Sequence, residues 1–243
     1  MANTVKMRGM AYKRVLLKLS GEQLSGREGG IDPQFVAWLA EEIKKATETG
    51  VEMVIIVGGG NFLRGAAVAG DGLERATADY MGMLATVMNG LALMDMLEHH
   101  GQPTRLQTNI QINQVAEPFI RRRAIRHLEK KRVVIVAGGL GKPYLTTDTA
   151  AASVALELDC EVILKATKVD GIYDKDPARF EDAVKFDALS FQEAVENPEV
   201  QVMDKAALGL AMEQQKPLLV FDLHKDGNIL RAVSGEPIGT RVG

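Results

Sequence analysis

Four apolar, β-favouring residues followed at once by three glycines constrain the fold of this chain most strongly. Val54-Ile55-Ile56-Val57 lacks polar alternation, which indicates a strand buried on both faces. Gly58-Gly59-Gly60 then allows backbone N–H groups to approach a ligand with no Cβ in the way. Arg64, four residues beyond the last glycine, can add a bidentate cation to an anion held there. We interpret this stretch as a phosphate-binding loop; the alternative is a buried strand that ends in a flexible turn.

The same device occurs again at Val133–Ala137, which precedes Gly138-Gly139, and in part at Val15–Leu19, which precedes Ser20-Gly21. Apolar runs alternate with helical patterns along the chain, and this predicts βαβ units. We therefore predict an α/β fold with three layers: an open, mainly parallel sheet with helices on both faces. Further strands are predicted at Thr104–Thr108, Glu161–Lys165 and Leu218–Asp222, with an edge strand in Pro237–Val242 and a mobile loop at Glu22–Gly30. Helices are predicted from the Asp32 N-cap to Ala46 and at Ala78–His100, Phe119–Arg132, Thr149–Leu158, Phe191–Glu196 and Met203–Gln214, with Thr147 or Asp148 capping Thr149–Leu158.

Ligands of such sheets bind beyond the carboxyl ends of the strands. Gly21, Gly58–Gly60, Gly138–Gly141 and Thr167 all follow predicted strands, and we expect one pocket to collect them.

Composition favours work on small molecules. The 243 residues carry a formal net charge of -3 with a pI near 5.9, whereas a dedicated nucleic-acid binder has a basic surplus. One cysteine, Cys160, suits a reducing cytosol, and four histidines offer no zinc-ligand spacing. The longest uncharged apolar stretch, Met81–Met94, is shorter than the ~20 residues of a membrane helix. We expect a cytoplasmic protein that binds neither nucleic acid nor membranes.

Three charged residues in these elements each have two readings. Lys18 is either a phosphate ligand or a strand lysine whose stem reaches the surface. Asp79 is either a ligand acceptor in the pocket or a carboxylate favoured by the start of a helix. Asp148 is either a site residue or a helix N-cap.

The inventory of charged groups suits phosphoryl transfer. Neither the G-x-x-x-x-G-K-[ST] nor the G-x-G-x-x-G signature is present, so the site is not of the P-loop or Rossmann type. An acceptor that is itself a phosphate is already an anion and needs no general base. The protein must then align two repelling anions and neutralise charge, which calls for lysines and backbone N–H groups.

Two helices suggest contacts beyond one subunit. The helix Ala78–His100 has apolar residues around much of its circumference, so we expect it to pack against another subunit. Phe119–Arg132 is strongly basic, and it is either a solvated helix or a site for an anionic effector at a subunit interface.

Several motifs resemble those of the bacterial uridylate kinase family, which has the amino-acid kinase fold, and the resemblance runs from about Tyr12 to the end. They are Lys18–Glu22, Gly58–Gly65, Asp79–Asn89, Thr146–Asp148 and Lys165–Gly171. The resemblance implies transfer of the γ-phosphoryl group of Mg-ATP to UMP in pyrimidine nucleotide biosynthesis. It also implies a homohexamer that is activated by GTP and inhibited by UTP, with Mg²⁺ arriving with ATP and no dedicated metal ligands.

The resemblance implies roles for named residues. The catalytic set would be Lys18, Arg64, Asp148 and Lys165, and Asp204 is a further candidate. The ATP site would comprise Lys18, Leu19, Ser20, Gly21, Gly60, Arg64, Thr167, Tyr173 and Asp176. The UMP site would comprise Gly59, Asp79, Leu140, Gly141, Lys142, Pro143, Tyr144, Leu145, Thr146 and Thr147.

The resemblance implies one domain over residues 12–243 after a flexible tail at 1–11. Residues 12–150 would form the acceptor side and residues 151–243 the ATP side. The chain departs from the family at Leu140-Gly141-Lys142-Pro143, where Thr-Gly-Asn-Pro is usual, and its Gly26–Gly30 loop is one residue short. Two alternatives are a kinase of a carboxylate such as N-acetylglutamate and a non-catalytic oxoanion-storage relative.

Overall fold

The computed structural model describes residues 11–26, 29–63, 72–197, 200 and 202–243. Within them lie eleven strands and seven α-helices, and one 3-10 helix covers Gly21–Leu24. The strands are β1 Arg14–Leu19, β2 Glu52–Val57, β3 Thr104–Thr108, β4 Glu117–Pro118, β5 Val133–Ala137, β6 Val162–Thr167, β7 Ile172–Tyr173, β8 Lys185–Phe186, β9 Ala188–Leu189, β10 Leu218–Asp222 and β11 Thr240–Val242. The helices are α1 Pro33–Thr47, α2 Arg75–His99, α3 Arg121–Glu129, α4 Thr147–Glu157, α5 Phe191–Glu196, α6 Lys205–Glu213 and α7 Asn228–Val233.

Nine strands form one sheet in the order β4-β3-β5-β2-β1-β6-β10-β11-β9. Neighbouring strands are parallel except β10 and β11, which pair antiparallel. The strands β7 and β8 form a separate antiparallel pair. The predicted α/β fold with an open, mainly parallel sheet is confirmed.

The central strands are mostly apolar because both faces of the sheet are covered. On β1, Val15, Leu17 and Leu19 contribute to one apolar core, whereas Leu16 contributes to the other. The first core includes buried residues of α1, α2 and α7, and the second includes buried residues of α3, α4, α5 and α6. All six residues of β2 are buried: five are apolar, and the sixth, Glu52, is paired with Arg14.

Helix α2 is the one helix of the described residues that is long and apolar enough to cross a membrane by length and composition alone. That indication is weak, because the core helix of a globular protein passes the same test. Here α2 packs against α1, β3 and β5, and it buries Leu93 and Leu97 completely.

Two sequence predictions were wrong: the mobile loop from Glu22 and the edge position of the last strand. The loop predicted from Glu22 begins with a 3-10 helix in which Leu24 is fully buried, so this part is held by the core. The predicted edge strand near the carboxyl end is β11, which lies between β10 and β9.

The helix boundaries also differ from the predicted ones by one to three residues. Helix α3 covers Arg121–Glu129 rather than Phe119–Arg132, and α6 covers Lys205–Glu213 rather than Met203–Gln214. Helix α2 begins at Arg75, three residues before the predicted start. Helix α4 begins at Thr147, and its N-cap is Thr146, whose side chain accepts hydrogen bonds from the N–H groups of Asp148 and Thr149. The expected cap by Thr147 or Asp148 is therefore wrong, and the Asp148 carboxylate is left for other contacts.

Candidate active site

The four glycine- or threonine-bearing strand exits lie side by side. They follow β5, β2, β1 and β6, which are consecutive in the sheet. The exits of β1 and β2 touch through their backbones: a Cβ on Gly21 would lie 2.5 Å from Gly60 N and 2.8 Å from Gly58 O. Only glycine fits at position 21, so the exits of β1 and β2 are in direct contact, and a single pocket that collects all four exits stays a prediction.

Two lysines converge on one carboxylate at this edge of the sheet. Lys18 and Lys165 are register partners on the parallel strands β1 and β6. Lys18 Nζ lies 2.9 Å from Asp148 Oδ1, and Lys165 Nζ lies 3.2 Å from Asp148 Oδ2. Lys165 also donates a hydrogen bond to the carbonyl oxygen of Val202. The interpretation of Lys18 as a lysine that reaches the surface is wrong, because the residue is only 7% exposed.

The charges of this cluster tune one another. Burial raises the pKa of Asp148, but the two lysine charges and their hydrogen bonds outweigh burial and hold its pKa below the usual value. Burial lowers the pKa of Lys165, and the charge of Lys18 adds to this while Asp148 opposes it. The carboxylate therefore stays ionised and holds two like charges together beside the strand exits.

Asp204 connects the start of α4 to the start of α6. It caps α6 by accepting a hydrogen bond of 2.9 Å from the N–H of Ala207. Its carboxylate also accepts hydrogen bonds from the hydroxyls of Thr146 and Thr149, the latter at 3.1 Å. Its negative charge raises the pKa of Lys165, which places it in the electrostatic environment of the cluster.

A pair of asparagines holds the glycine turn after β2 against α2. Asn89, which is completely buried, donates to Gly58 O at 2.7 Å and to Asn61 Oδ1 at 2.7 Å. Asn61 donates in return to Asn89 Oδ1 and to Gly30 O. Gly59 permits this close approach, since a Cβ there would lie 2.6 Å from Gly82 O.

A cleft of 140 Å³ lies beside this turn. It is lined in part by Gly59, Gly60, Asp79, Thr146 and Thr147, all of which the resemblance assigned to nucleotide binding. Leu145 lines the same cleft.

The carboxylate of Asp79 is held from two sides. Arg75 Nε lies 2.9 Å from its Oδ1, and the backbone N–H of Tyr144 donates to its Oδ2 at 2.8 Å. The Arg75 guanidinium also lies 5.5 Å from the centre of the Tyr144 ring. Asp79 therefore lines the cleft and links α2 to the loop after β5. A carboxylate that only stabilised the start of the helix would not need the contact with this loop.

The loop after β5 follows a path that glycines make possible. Gly138, Gly139 and Gly141 have φ values of 77°, 55° and 69°, a region that favours glycine. The Gly138 N–H donates to Thr86 Oγ1 at 2.7 Å, and Asn109 donates to Gly139 O at 2.6 Å. Lys142 is exposed, and Leu140 and Pro143 are partly buried.

The residues expected at the nucleoside end of ATP lie at the last residue of β6 and in the segment after it. Thr167 Oγ1 donates to the carbonyl oxygens of Val169 and Phe221 at 2.6 and 3.3 Å. Tyr173, on β7, donates its hydroxyl to Asp170 Oδ1 at 2.5 Å. Asp176 accepts a hydrogen bond of 2.9 Å from the Ala178 N–H in the following turn.

The structure brings the predicted residues of the cluster and of the cleft together, and their roles stay predictions. Arg64 lies outside the described residues. The asparagine pair and Gln23 were not predicted, because they act through partners distant in sequence, whereas Arg75 stands four residues before Asp79 and this spacing on a helix could have indicated it. A weak signal existed for Gln23, which stands three residues after Ser20 in a capping-box pattern.

Comparison with known proteins gives consistent matches. The model of the amino acid kinase family matches residues 13–222. Two similar solved structures are UMP kinases. The one from Bacillus anthracis is 37% identical with a TM-score of 0.91, and the match covers 96% of each chain. The one from Ureaplasma parvum is 33% identical with a TM-score of 0.89, and the match covers 96% of this chain and 100% of that chain.

A third match is to the uridylate kinase from Archaeoglobus fulgidus. It is 28% identical with a TM-score of 0.75, and the match covers 94% of this chain and 99% of that chain. All three matches span nearly the full length of both chains, and the residues matched by the family model include all four strand exits of the candidate site.

Proposed function

This chain belongs to the amino acid kinase family, and on that premise we propose that it is a UMP kinase, which transfers the γ-phosphoryl group of ATP to UMP. The similar UMP kinases at 37% and 33% identity support this choice of acceptor. The observation that carries the proposal is the pair of lysines from adjacent strands on one buried carboxylate, Lys18 and Lys165 on Asp148.

The reaction requires positioning more than proton transfer. A phosphate oxygen of UMP, already ionised, attacks the γ-phosphorus. The bond from the γ-phosphorus to the β–γ bridging oxygen breaks, and its electron pair stays on ADP. Lys18 and Lys165 would face the group in transit and neutralise its charge, while Asp148 keeps the two ammonium groups together.

The two substrates would approach from opposite sides of the cluster. The cleft beside Gly59 and Asp79 supports an acceptor on the side of β2 and β5. The exits of β1 and β6, with Ser20, Gly21 and Thr167, support ATP on the other side. Gly21 follows β1 and Gly60 follows β2, and their backbones are in contact. The ATP side and the acceptor side therefore meet at this point, where the phosphates would lie.

Magnesium enters this proposal with ATP. Mg²⁺ keeps several waters and binds through one or two carboxylates together with substrate phosphates. Both oxygens of Asp148 already face an ammonium group, Oδ1 that of Lys18 at 2.9 Å and Oδ2 that of Lys165 at 3.2 Å, so the ATP phosphates and water would hold the ion. When bound, the ion would neutralise charge on the β- and γ-phosphates.

We extend the proposal to assembly and regulation. On helix α2, the side chains of Tyr80, Met81, Leu84 and Met88 are 41 to 47% exposed. This apolar stripe supports self-association, and the resemblance to the family implies that the assembly is a homohexamer. Activation by GTP, inhibition by UTP, a cytoplasmic location and a place in pyrimidine nucleotide biosynthesis are further parts of the proposal.

One assay tests the function. ADP release from Mg-ATP is measured with UMP, CMP, dCMP and N-acetylglutamate as separate acceptors. We expect release that depends on UMP and is absent with N-acetylglutamate. A higher rate with N-acetylglutamate would assign the chain to carboxylate phosphorylation, and ATP binding without ADP release for any acceptor would indicate oxoanion storage.

A further inference from the structure

The strands β1 and β6, which carry the two lysines, stop pairing with each other at these lysines. The pairing of β1 with β6 ends at Lys18 and Lys165. Beyond that point β1 continues along β2 to Leu19 and Val57, while β6 continues along β10 to Thr167 and Asp222. The sheet therefore opens between β1 and β6 at the place where phosphates would bind.

One side chain spans this opening. Gln23, on the 3-10 helix after β1, is 5% exposed. Its Oε1 accepts a hydrogen bond of 2.9 Å from the N–H of Ser20, and its Nε2 donates one of 3.1 Å to the carbonyl oxygen of Ala166. Ser20 lies two residues after Lys18, and Ala166 is next to Lys165. The side-chain amide thus stands between a donor of one strand exit and an acceptor of the other, as an inserted peptide group would.

The placement matters because the two ammonium groups repel each other and are held together by one carboxylate. Their separation depends on the spacing of the two backbones, and misplacement of a catalytic group by about 1 Å can cost on the order of 10²-fold in rate. We propose that Gln23 is a positioning residue that sets the spacing of Lys18 and Lys165 by bridging the strand exits. This role rests on the proposed phosphoryl transfer.

Gln23 is not replaceable by an apolar side chain of similar size. Methionine would fill the volume, but it would leave the Ser20 N–H and the Ala166 carbonyl without this partner in a buried place. Glutamate could still accept from Ser20, yet it could not donate to Ala166, and its charge would face the carbonyl oxygen. The two substitutions therefore separate the bridge from a simple cap of the 3-10 helix.

A matched control lies at the other end of the sheet. Gln102 is 8% exposed, accepts a hydrogen bond of 2.8 Å from Thr47 and donates to Pro103 O and Lys131 O. Gln102→Met loses the same kind of contact without touching the strand exits. It therefore reports what loss of a buried glutamine costs in stability alone.

The test measures kcat and KM for UMP in wild type, Gln23→Met, Gln23→Glu and Gln102→Met, with melting temperatures for each. Both Gln23 variants should lower kcat by about 10- to 100-fold, with KM for UMP within about threefold of wild type and Gln102→Met close to wild type in both. Gln23→Met no slower than Gln102→Met would overturn the inference, and so would a Gln23→Glu variant with wild-type kcat.

A second readout does not depend on the acceptor. The bridge should slow hydrogen exchange of the Ser20 amide, and Gln23→Met should speed that exchange while Gln102→Met leaves it unchanged. Unaltered exchange at Ser20 would contradict the bridge even if the wild-type enzyme proved to use another acceptor. Absence of UMP-dependent ADP release, with this exchange pattern present, would count against the proposed function alone.

Discussion

Lys18 and Lys165 are register partners on neighbouring parallel strands, and their ammonium groups contact the two oxygens of the same carboxylate, that of Asp148. The two ammonium groups repel each other, so each makes it less favourable for the other to carry its charge. A ligand that carries several negative charges would offset this repulsion, and the carboxylate keeps the pair together until the ligand arrives.

Stability should depend on Asp148 in a way that pH reveals. The pKa of Asp148 in the folded protein lies below its usual value. The carboxylate therefore adds its full contribution to the free energy of unfolding above the usual pKa, and this contribution is lost as pH falls from the usual pKa to the folded pKa. We expect Asp148→Asn to lower the free energy of unfolding at pH 7 by about 3 kcal/mol, the low end of the range for breaking a buried ion pair.

The difference between wild type and Asp148→Asn should shrink as pH falls below the ordinary aspartate pKa of about 3.9, because the unfolded chain then takes up a proton that the folded carboxylate binds only at lower pH. Urea unfolding at a series of pH values measures it. A difference that stays constant over this range would show that the charge of Asp148 does not stabilise the cluster.

The exposed stripe of α2 predicts a homo-oligomer. Leu84 and Met88 are 47 and 44% exposed and lie one turn apart. Leu84→Glu combined with Met88→Glu should dissociate the assembly, because it places charge in an apolar contact. Light scattering at micromolar concentration measures the mass, and Met212→Glu on α6, where Met212 is 39% exposed, serves as the control. A wild-type mass of 26.4 kDa would contradict the prediction.

Lys142 should add affinity for the acceptor. It follows Gly141 in the loop beside the cleft and is exposed, so its ammonium can reach a bound phosphate without prior burial. Lys142→Ala should raise KM for UMP and leave KM for ATP almost unchanged. Lys13→Ala, at the opposite end of the sheet, is the control. If KM for UMP does not move, Lys142 is a solvent-facing loop residue.

The sequence predicts the parts of this molecule that depend on local pattern. The apolar runs of β2 and β5, and the glycines after them, define strands and exits because burial on both faces and close backbone approach leave few other residue types. Asp32 and Pro33 mark the start of α1 correctly, since capping depends on neighbours in the chain.

Features that depend on residues distant in sequence are harder to predict from the sequence. Helix α2 begins after Glu74, whose side chain makes no cap hydrogen bond, so its start carries no sequence signal. The amide pair of Asn61 with Asn89 joins residues 28 positions apart. The short segment β11 could be placed beside β10 only once the sheet order was known.

Lys18→Ala is the most direct test of the account. Lys18 is fixed on a buried strand, so its charge should act mainly on the transition state, where negative charge shifts during transfer. We expect kcat with UMP to fall by about 10²–10³-fold with KM for UMP little changed, and the melting temperature to fall as well, since Lys18 is 7% exposed and pairs with Asp148. The matched control is Lys216→Ala, which removes a partly buried lysine whose ammonium donates to Cys160 O at 2.5 Å at the opposite end of the sheet, and it should leave kcat unaffected. A Lys18→Ala enzyme with kcat within about tenfold of wild type would contradict the assignment of the phosphate site.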